Sequence, residues 1–500
     1  MGVSAKSRPL AIALAVLVGS AAAHAAPATR FKESIDGVGH FLLVPYYTAQ
    51  PGFATLLNLV NSDREHGKVV KVRFRGASNA DDVYNFTLFL RPGDVWAGEV
   101  SHNPATGLAR LSTPDESCTL PRQVAADFST AYVNPAPEVT HLNPQGLRSE
   151  ETLEGYVELI TMADVVPGTA LDVAITNTHN NFAPCRSSPT PPAVMDTLLT
   201  PAGIAAAGLG GPTTGLMGRW SIFNVAEASS WSGRATALVA VGANNVPGLG
   251  NVVMHPQAQG TPPSAITSLT SDPLLRSGGV TPQHSSLPDL STPYLGSITP
   301  EQQAAMLSGA LAKASVKNEF FIDKTVQAQT DWVISLPLMR YSVAFDYARG
   351  VRVFTTLTPE YFNRATTERA NWYGGRWWSD KKVCLPWLDF ESWDRWGNAY
   401  GPEDGFSIGM PLPPGISVCG AVSVGGTGAL QSKVAHSDAP IVSPRDGWTE
   451  VFTPGINQAG LPILGAAFAK ATSTNVGSGV SGNFGLTWEH SYTRPGNVVP

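Results

Sequence analysis

Val70-Lys71-Val72-Arg73-Phe74-Arg75 alternates apolar and cationic residues without a break. In an extended chain Val70, Val72 and Phe74 share one face and Lys71, Arg73 and Arg75 the other, the period of two that predicts a half-buried strand with its cations in water. Phe86, Leu88 and Leu90 repeat that period downstream. Arg91-Pro92-Gly93-Asp94 then reads as a type II turn, because Pro sets φ at its second position and Gly accepts the positive φ at its third. Upstream, apolar runs at residues 41–44 and 54–60 flank Gln50-Pro51-Gly52, and further runs follow at residues 155–161, 219–225 and 235–241. Strands returning about every 10–15 residues across short turns predict an all-β fold of antiparallel β-sandwich domains, with long loops and one or two short helices.

Composition agrees. Gly (49) and Pro (40) are abundant in 500 residues, which favours turns over long helices. Hydrophobic residues make up 43% of the chain and charged residues only 14%, against about 25% in an ordinary globular protein. The net charge of −6 argues against a nucleic-acid partner held through its phosphates.

Four segments are expected. Lys6 and Arg8, the apolar run 10–18 and Ala23-His24-Ala25 form a signal peptide over residues 1–25, cleaved near Ala25, so the mature chain is expected to be secreted or at the cell surface, with the periplasm as the alternative. No later run is long enough for a transmembrane helix. A β-sandwich region covers 26–255, a Pro/Ser/Thr-rich linker 256–300 and a β-rich domain 301–500. The last opens with a helix: Thr299 as N-cap, Pro300 at its first position, Gln302 completing a capping box, Ala304, Leu307 and Leu311 on one face, and an end near Lys313. Strand signals resume at 332–336, 341–345, 351–354, 417–419 and 484–488. Cys118, Cys185, Cys384 and Cys419 contain no CxxC pair, and sequential bridges, Cys118 with Cys185 and Cys384 with Cys419, keep each inside one segment.

Residues 372–396 concentrate the candidate chemistry. Trp372, Trp377, Trp378, Trp387, Trp393 and Trp396 are half of the tryptophans, interleaved with Asp380, Asp389, Glu391 and Asp394. Indole faces stack on sugar rings and paired carboxylates serve glycoside cleavage, so this is the candidate ligand-binding region; packing or protein contact is the competing reading. Asp389, Glu391, Asp394, Glu403 and Asp404 also offer oxygen ligands of the kind Ca²⁺ takes, but no EF-hand loop is matched, so no cofactor or metal is expected and Ca²⁺ stands as the alternative. Hydrolase elbows, zincin helices and phosphate loops are missing from the sequence, and no catalytic residue is assigned.

Residues 54–61, Val72-Arg73-Phe74-Arg75, the 91–96 turn with Trp96, and Thr330-Asp331-Trp332-Val333 make residues 38–105 and 318–345 similar to secreted proteobacterial proteins known only as cell-surface proteins. That resemblance implies surface location and a structural or interaction role, without catalytic residues. The expected function is therefore an exported non-enzymatic surface protein acting in structure, assembly or adhesion, with other surface proteins or copies of itself as partners. The alternative is a secreted carbohydrate-binding or carbohydrate-active protein with glycan partners at residues 372–396. A periplasmic accessory role in envelope assembly is the third reading.

Overall fold

The computed structural model describes residues 28–137, 146–176, 185, 193–198, 201–250, 252, 300–354, 361–367, 382–400, 415–437, 446–477 and 480–496. The expected signal peptide, the 256–299 stretch, Thr299, Trp372, Trp377, Trp378, Asp380, Glu403 and Asp404 lie outside them. No helix among the described residues is long and apolar enough to cross a membrane.

The strands before residue 250 are β1 (Arg30–Glu33), β2 (Phe41–Thr48), β3 (Phe53–Asn61), β4 (Gly67–Gly76), β5 (Asp82–Leu90), β6 (Val95–Asn103), β7 (Leu108–Ser112), β8 (Cys118–Leu120), β9 (Glu154–Val165), β10 (Leu209–Gly210), β11 (Leu216–Asn224), β12 (Ser229–Arg234) and β13 (Thr236–Val241). They build an eight-stranded sheet, β1-β13-β2-β9-β4-β5-β8 with β10 on β9, and a five-stranded sheet, β12-β11-β3-β6-β7. After the helix Pro300–Leu311 come β14 (Ala312–Lys313), β15 (Ser315–Phe320), β16 (Gln329–Ser335), β17 (Val343–Asp346), β18 (Val351–Phe354), β19 (Cys384–Leu388), β20 (Phe390–Asp394), β21 (Ala399–Tyr400), β22 (Ile416–Cys419), β23 (Val422–Gly426), β24 (Gly447–Phe452), β25 (Leu461–Pro462), β26 (Leu464–Gly477), β27 (Val480–Glu489) and β28 (Ser491–Thr493). Their main sheets are β21-β20-β24-β15-β28 and β23-β16-β26-β27. The pairings between these strands are antiparallel, so the all-β sandwich expectation holds.

Local signals are borne out. Gly93 has φ +70° and Asp94 N–H donates to Arg91 O at 3.2 Å, closing the expected turn. The helix buries Ala304, Leu307 and Leu311 as its spacing requires. It stops short of Lys313 because Ala312 and Lys313 are taken up as β14, paired with β25. Both sequential cysteine pairs form, with Cα separations of 5.9 Å for Cys118–Cys185 and 4.0 Å for Cys384–Cys419, the latter directly opposed on β19 and β22. Each bridge restricts the unfolded chain and contributes about 2–4 kcal/mol.

The reading of β4 as half-exposed is corrected. Its apolar face does what was expected: Phe86, opposite Val72, meets Trp96 of the five-stranded sheet with ring centroids 5.7 Å apart. The other face is not in water. Arg73 and Arg75 have no exposed surface and Lys71 has 1%, because the segment after residue 300 packs over the eight-stranded sheet and makes it a middle layer. Alternation shows that two faces of a strand differ; it does not show what covers each.

The hairpin end 76–81 between β4 and β5 is buried in the same way. Ala77 O accepts the N–H groups of Ala421 (2.7 Å) and Val422 (3.1 Å), and Asn79 Oδ1 accepts Val383 N–H at 2.9 Å. Gly420, at φ +88°, makes this approach possible, since a Cβ there would stand 2.6 Å from Ala77 O. One apolar cluster runs from Val72 and Phe41 through to Trp332 and Phe468, so residues on both sides of the 256–300 stretch share a core.

Candidate functional site

A dense group of ionisable side chains lies where β4 meets the later segment. Tyr341, delivered by the turn Met339–Tyr341, donates its hydroxyl to Glu158 Oε2 at 3.1 Å and accepts from Arg73 (2.8 Å) and Arg75 (2.7 Å). Glu158 Oε2 also takes Arg73 Nη1 at 3.1 Å and Arg75 Nε at 3.3 Å, and Tyr156 donates to Oε1 at 3.1 Å. Beside them Arg340 pairs with Asp81 at 2.8 Å. Glu154 Oε2 accepts the backbone N–H groups of Lys433 (3.1 Å), Val434 (2.7 Å) and Ala435 (3.3 Å), while Tyr46 donates to Oε1 at 2.5 Å.

Burial pushes the Glu158 carboxyl upward, but the two guanidiniums and the two phenols outweigh it and hold it below the usual carboxylate range. Burial drives Lys71 well below the ordinary lysine value, and the nearby guanidiniums push the same way; its ammonium nitrogen contacts Asn85 Oδ1 at 2.6 Å. Each perturbed group is engaged by neighbours that link chain segments, the pattern of a structural ion network. Perturbation alone does not make it a catalytic site.

A group of metal-ligating type brings Asp63 and His66, from the loop between β3 and β4, together with Asp164 of β9. Lys68 Nζ already bridges its two acids, 2.9 Å from Asp63 and 2.7 Å from Asp164, and lies 2.6 Å from the Thr213 hydroxyl. The two acids shift in opposite directions. Burial raises Asp63, yet Lys68 and the N–H groups of Glu65 and His66 bring it down to about 2; the more deeply buried Asp164 stays raised by burial despite Lys68. The ammonium does the work a cation would do there.

The sequence-derived candidates separate. Trp387 is in β19 and Trp393 in β20; Asp389 and Glu391 are exposed. Asp394 is 3% exposed and closes the turn between β20 and β21. Its Oδ1 accepts the backbone N–H groups of Trp396 and Asn398 and its Oδ2 the Asn398 side-chain amide, all at 2.9 Å, so both oxygens are engaged within the turn.

A residue not singled out in the sequence completes the aromatic face. Trp448 of β24 lies directly across from Trp393, ring centroids 3.9 Å apart and planes 12° from parallel. Continuing across the sheet, Ala399 flanks Trp393 and Glu319 flanks Trp448; one pair along, Glu391 faces Glu450, which faces Lys317. The alternation Trp448, Glu450, Phe452 was the available signal for β24, but its partner strand lies about fifty residues away.

A second surface is the outer side of the five-stranded sheet. The register sets Met217, Val60 and Val95 in one row, Arg234, Arg219, Asn58 and Ala97 in the next, and Leu56 and Glu99 beyond. Met217 and Phe223 are 36% exposed and Val95 49%.

Two outcomes follow from the buried groups. Glu158→Ala leaves Arg73 and Arg75 buried without their carboxylate and is expected to lower unfolding free energy by about 3–5 kcal/mol in urea titrations; a loss under 1 kcal/mol contradicts the network's role. His490, whose ring lies 4.9 Å from that of Trp332 and tilted 51° to it, is lowered by burial to about 4, its Nε2–H donating to Val333 O at 3.0 Å. It is neutral in the fold, while the unfolded chain takes up the proton below about pH 6.5, so its share of stability is complete above pH 6.5 and falls by about 1.4 kcal/mol per pH unit toward pH 4. His490→Gln is therefore expected to flatten the pH dependence of the urea midpoint between pH 6 and 4.5; an unchanged slope shows that His490 carries a proton in the fold.

No protein-family model, no curated protein and no solved structure matches this chain, and its function is argued from the surfaces above.

Proposed function

We propose that the protein is an exported, non-enzymatic structural component of the cell surface that assembles with copies of itself through the outer face of its five-stranded sheet. The observation that carries this reading is the composition of that face. The outward positions of β3 are Ala54, Leu56, Asn58 and Val60, three of them apolar, where a solvated sheet would place charged or polar residues. Its neighbours add exposed Met217, Phe223 and Val95. An exposed apolar stripe of this kind has little desolvation cost on contact with another surface.

The charges present favour a second copy as the occupant. Arg219 stands directly opposite Arg234 across β11 and β12, an unfavourable like-charge pairing, while Glu99 sits two strands from Arg219. A two-fold, face-to-face arrangement brings Glu99 of each copy toward the arginines of the other. The two cystines and the buried ion network support a rigid building block, and cystines suit an oxidising compartment.

Size-exclusion chromatography with light scattering and electron microscopy of the mature chain test this reading. Oligomers or ordered arrays are expected, with Met217→Lys/Phe223→Asp returning the protein to a monomer of unchanged unfolding midpoint. A wild-type chain that is strictly monomeric and does not bind intact cells contradicts it.

A further inference from the structure

We propose that the face carrying Trp393 and Trp448 is a binding platform for a neutral hexose polysaccharide. This site belongs to a different sheet from the assembly face and does not depend on self-association. Three observations carry it.

The first is the indole stack. Trp393 and Trp448 are cross-strand neighbours whose rings overlap face to face at 3.9 Å, so each ring stands off the sheet with one face on its partner. On the other side of Trp393 the next residue across the sheet is Ala399, which is exposed and small. The C–H-rich face of a hexose in its chair form fits against such a surface, which the stack holds in place before the sugar arrives.

The second is exposure. Trp448 is 37% exposed, and Trp396, in the adjoining turn, is 71% exposed with the Arg395 guanidinium 5.9 Å above its ring. Arg395 is itself anchored by an ion pair with Asp446. Large aromatic surface gathered at one end of a sheet marks a contact site rather than a core.

The third is the charge around the indoles. Glu319 stands beside Trp448 and Glu391 one pair along from Trp393, and both are exposed, whereas Lys317 lies 3.7 Å from Glu450. Carboxylates at the rim of an aromatic surface accept hydrogen bonds from equatorial sugar hydroxyls. They also repel uronate, sulfate and phosphate groups, which selects a neutral polymer over an anionic one.

Affinity electrophoresis of the mature protein through gels containing hydroxyethyl cellulose, laminarin or galactomannan, with alginate as the anionic comparison, tests the proposal. At least one neutral polymer is expected to retard the protein and alginate is not. Trp393→Ala and Trp448→Ala are each expected to weaken that binding about tenfold, and Glu391→Gln, whose exposed side chain leaves folding intact, several-fold. Failure of all three neutral polymers to retard the wild type, retardation by alginate equal to that by the neutral polymers, or wild-type binding by Glu391→Gln together with Trp448→Ala overturns it.

Discussion

Arg73, Arg75, Glu158 and Tyr341 are fully buried where the eight-stranded sheet meets the segment that follows residue 300. Taking two guanidiniums out of water costs several kcal/mol each unless a carboxylate and further hydrogen bonds are already in place. Here β4 supplies the cations, β9 the carboxylate, and the turn before β17 the phenol, so no one segment contains a neutral, satisfied set. The remainder of the joint repeats that logic. Asp81 is answered by Arg340, Glu154 by three backbone N–H groups at 433–435, and the hairpin end at Ala77 by the backbone of Ala421 and Val422. Separating the layers would strand charge on both sides, which makes the eight-stranded sheet a middle layer rather than half of an independent sandwich.

That arrangement sharpens the meaning of the composition. Only 14% of residues are charged, and a share of those, including Lys68, Lys71, Arg73, Arg75, Glu154, Glu158, Lys313, Asp331 and Arg340, lies inside. Those charges hold the layers together instead of facing water, while the outward positions of β3 are mostly apolar.

Much of the local structure was legible because short-range chemistry decides it. The Pro92-Gly93 turn, the period-two strands, the helix at Pro300 and the pairing of Cys118 with Cys185 and Cys384 with Cys419 depend on neighbours or on chain proximity. The burial of Lys71, Arg73 and Arg75 was not legible, since the alternation that places them on one face is the same whether water or another sheet lies beyond. The aromatic face was half legible. Trp393 and Glu391 stood out in the tryptophan-rich stretch, but Trp448 and Glu319 join them only through the β20-β24-β15 pairing, which no local signal announces. Asp394 shows the converse: an acid that reads as a ligand in sequence closes a turn with both oxygens.

Hydrogen exchange across a urea series, reading the amides of β4 and β16 separately, tests most directly whether the buried network makes one cooperative body of the layers. The account predicts that both strands lose protection at the same urea concentration with the same dependence on urea. Loss of protection in β16 at a lower concentration, with β4 still protected, would contradict it.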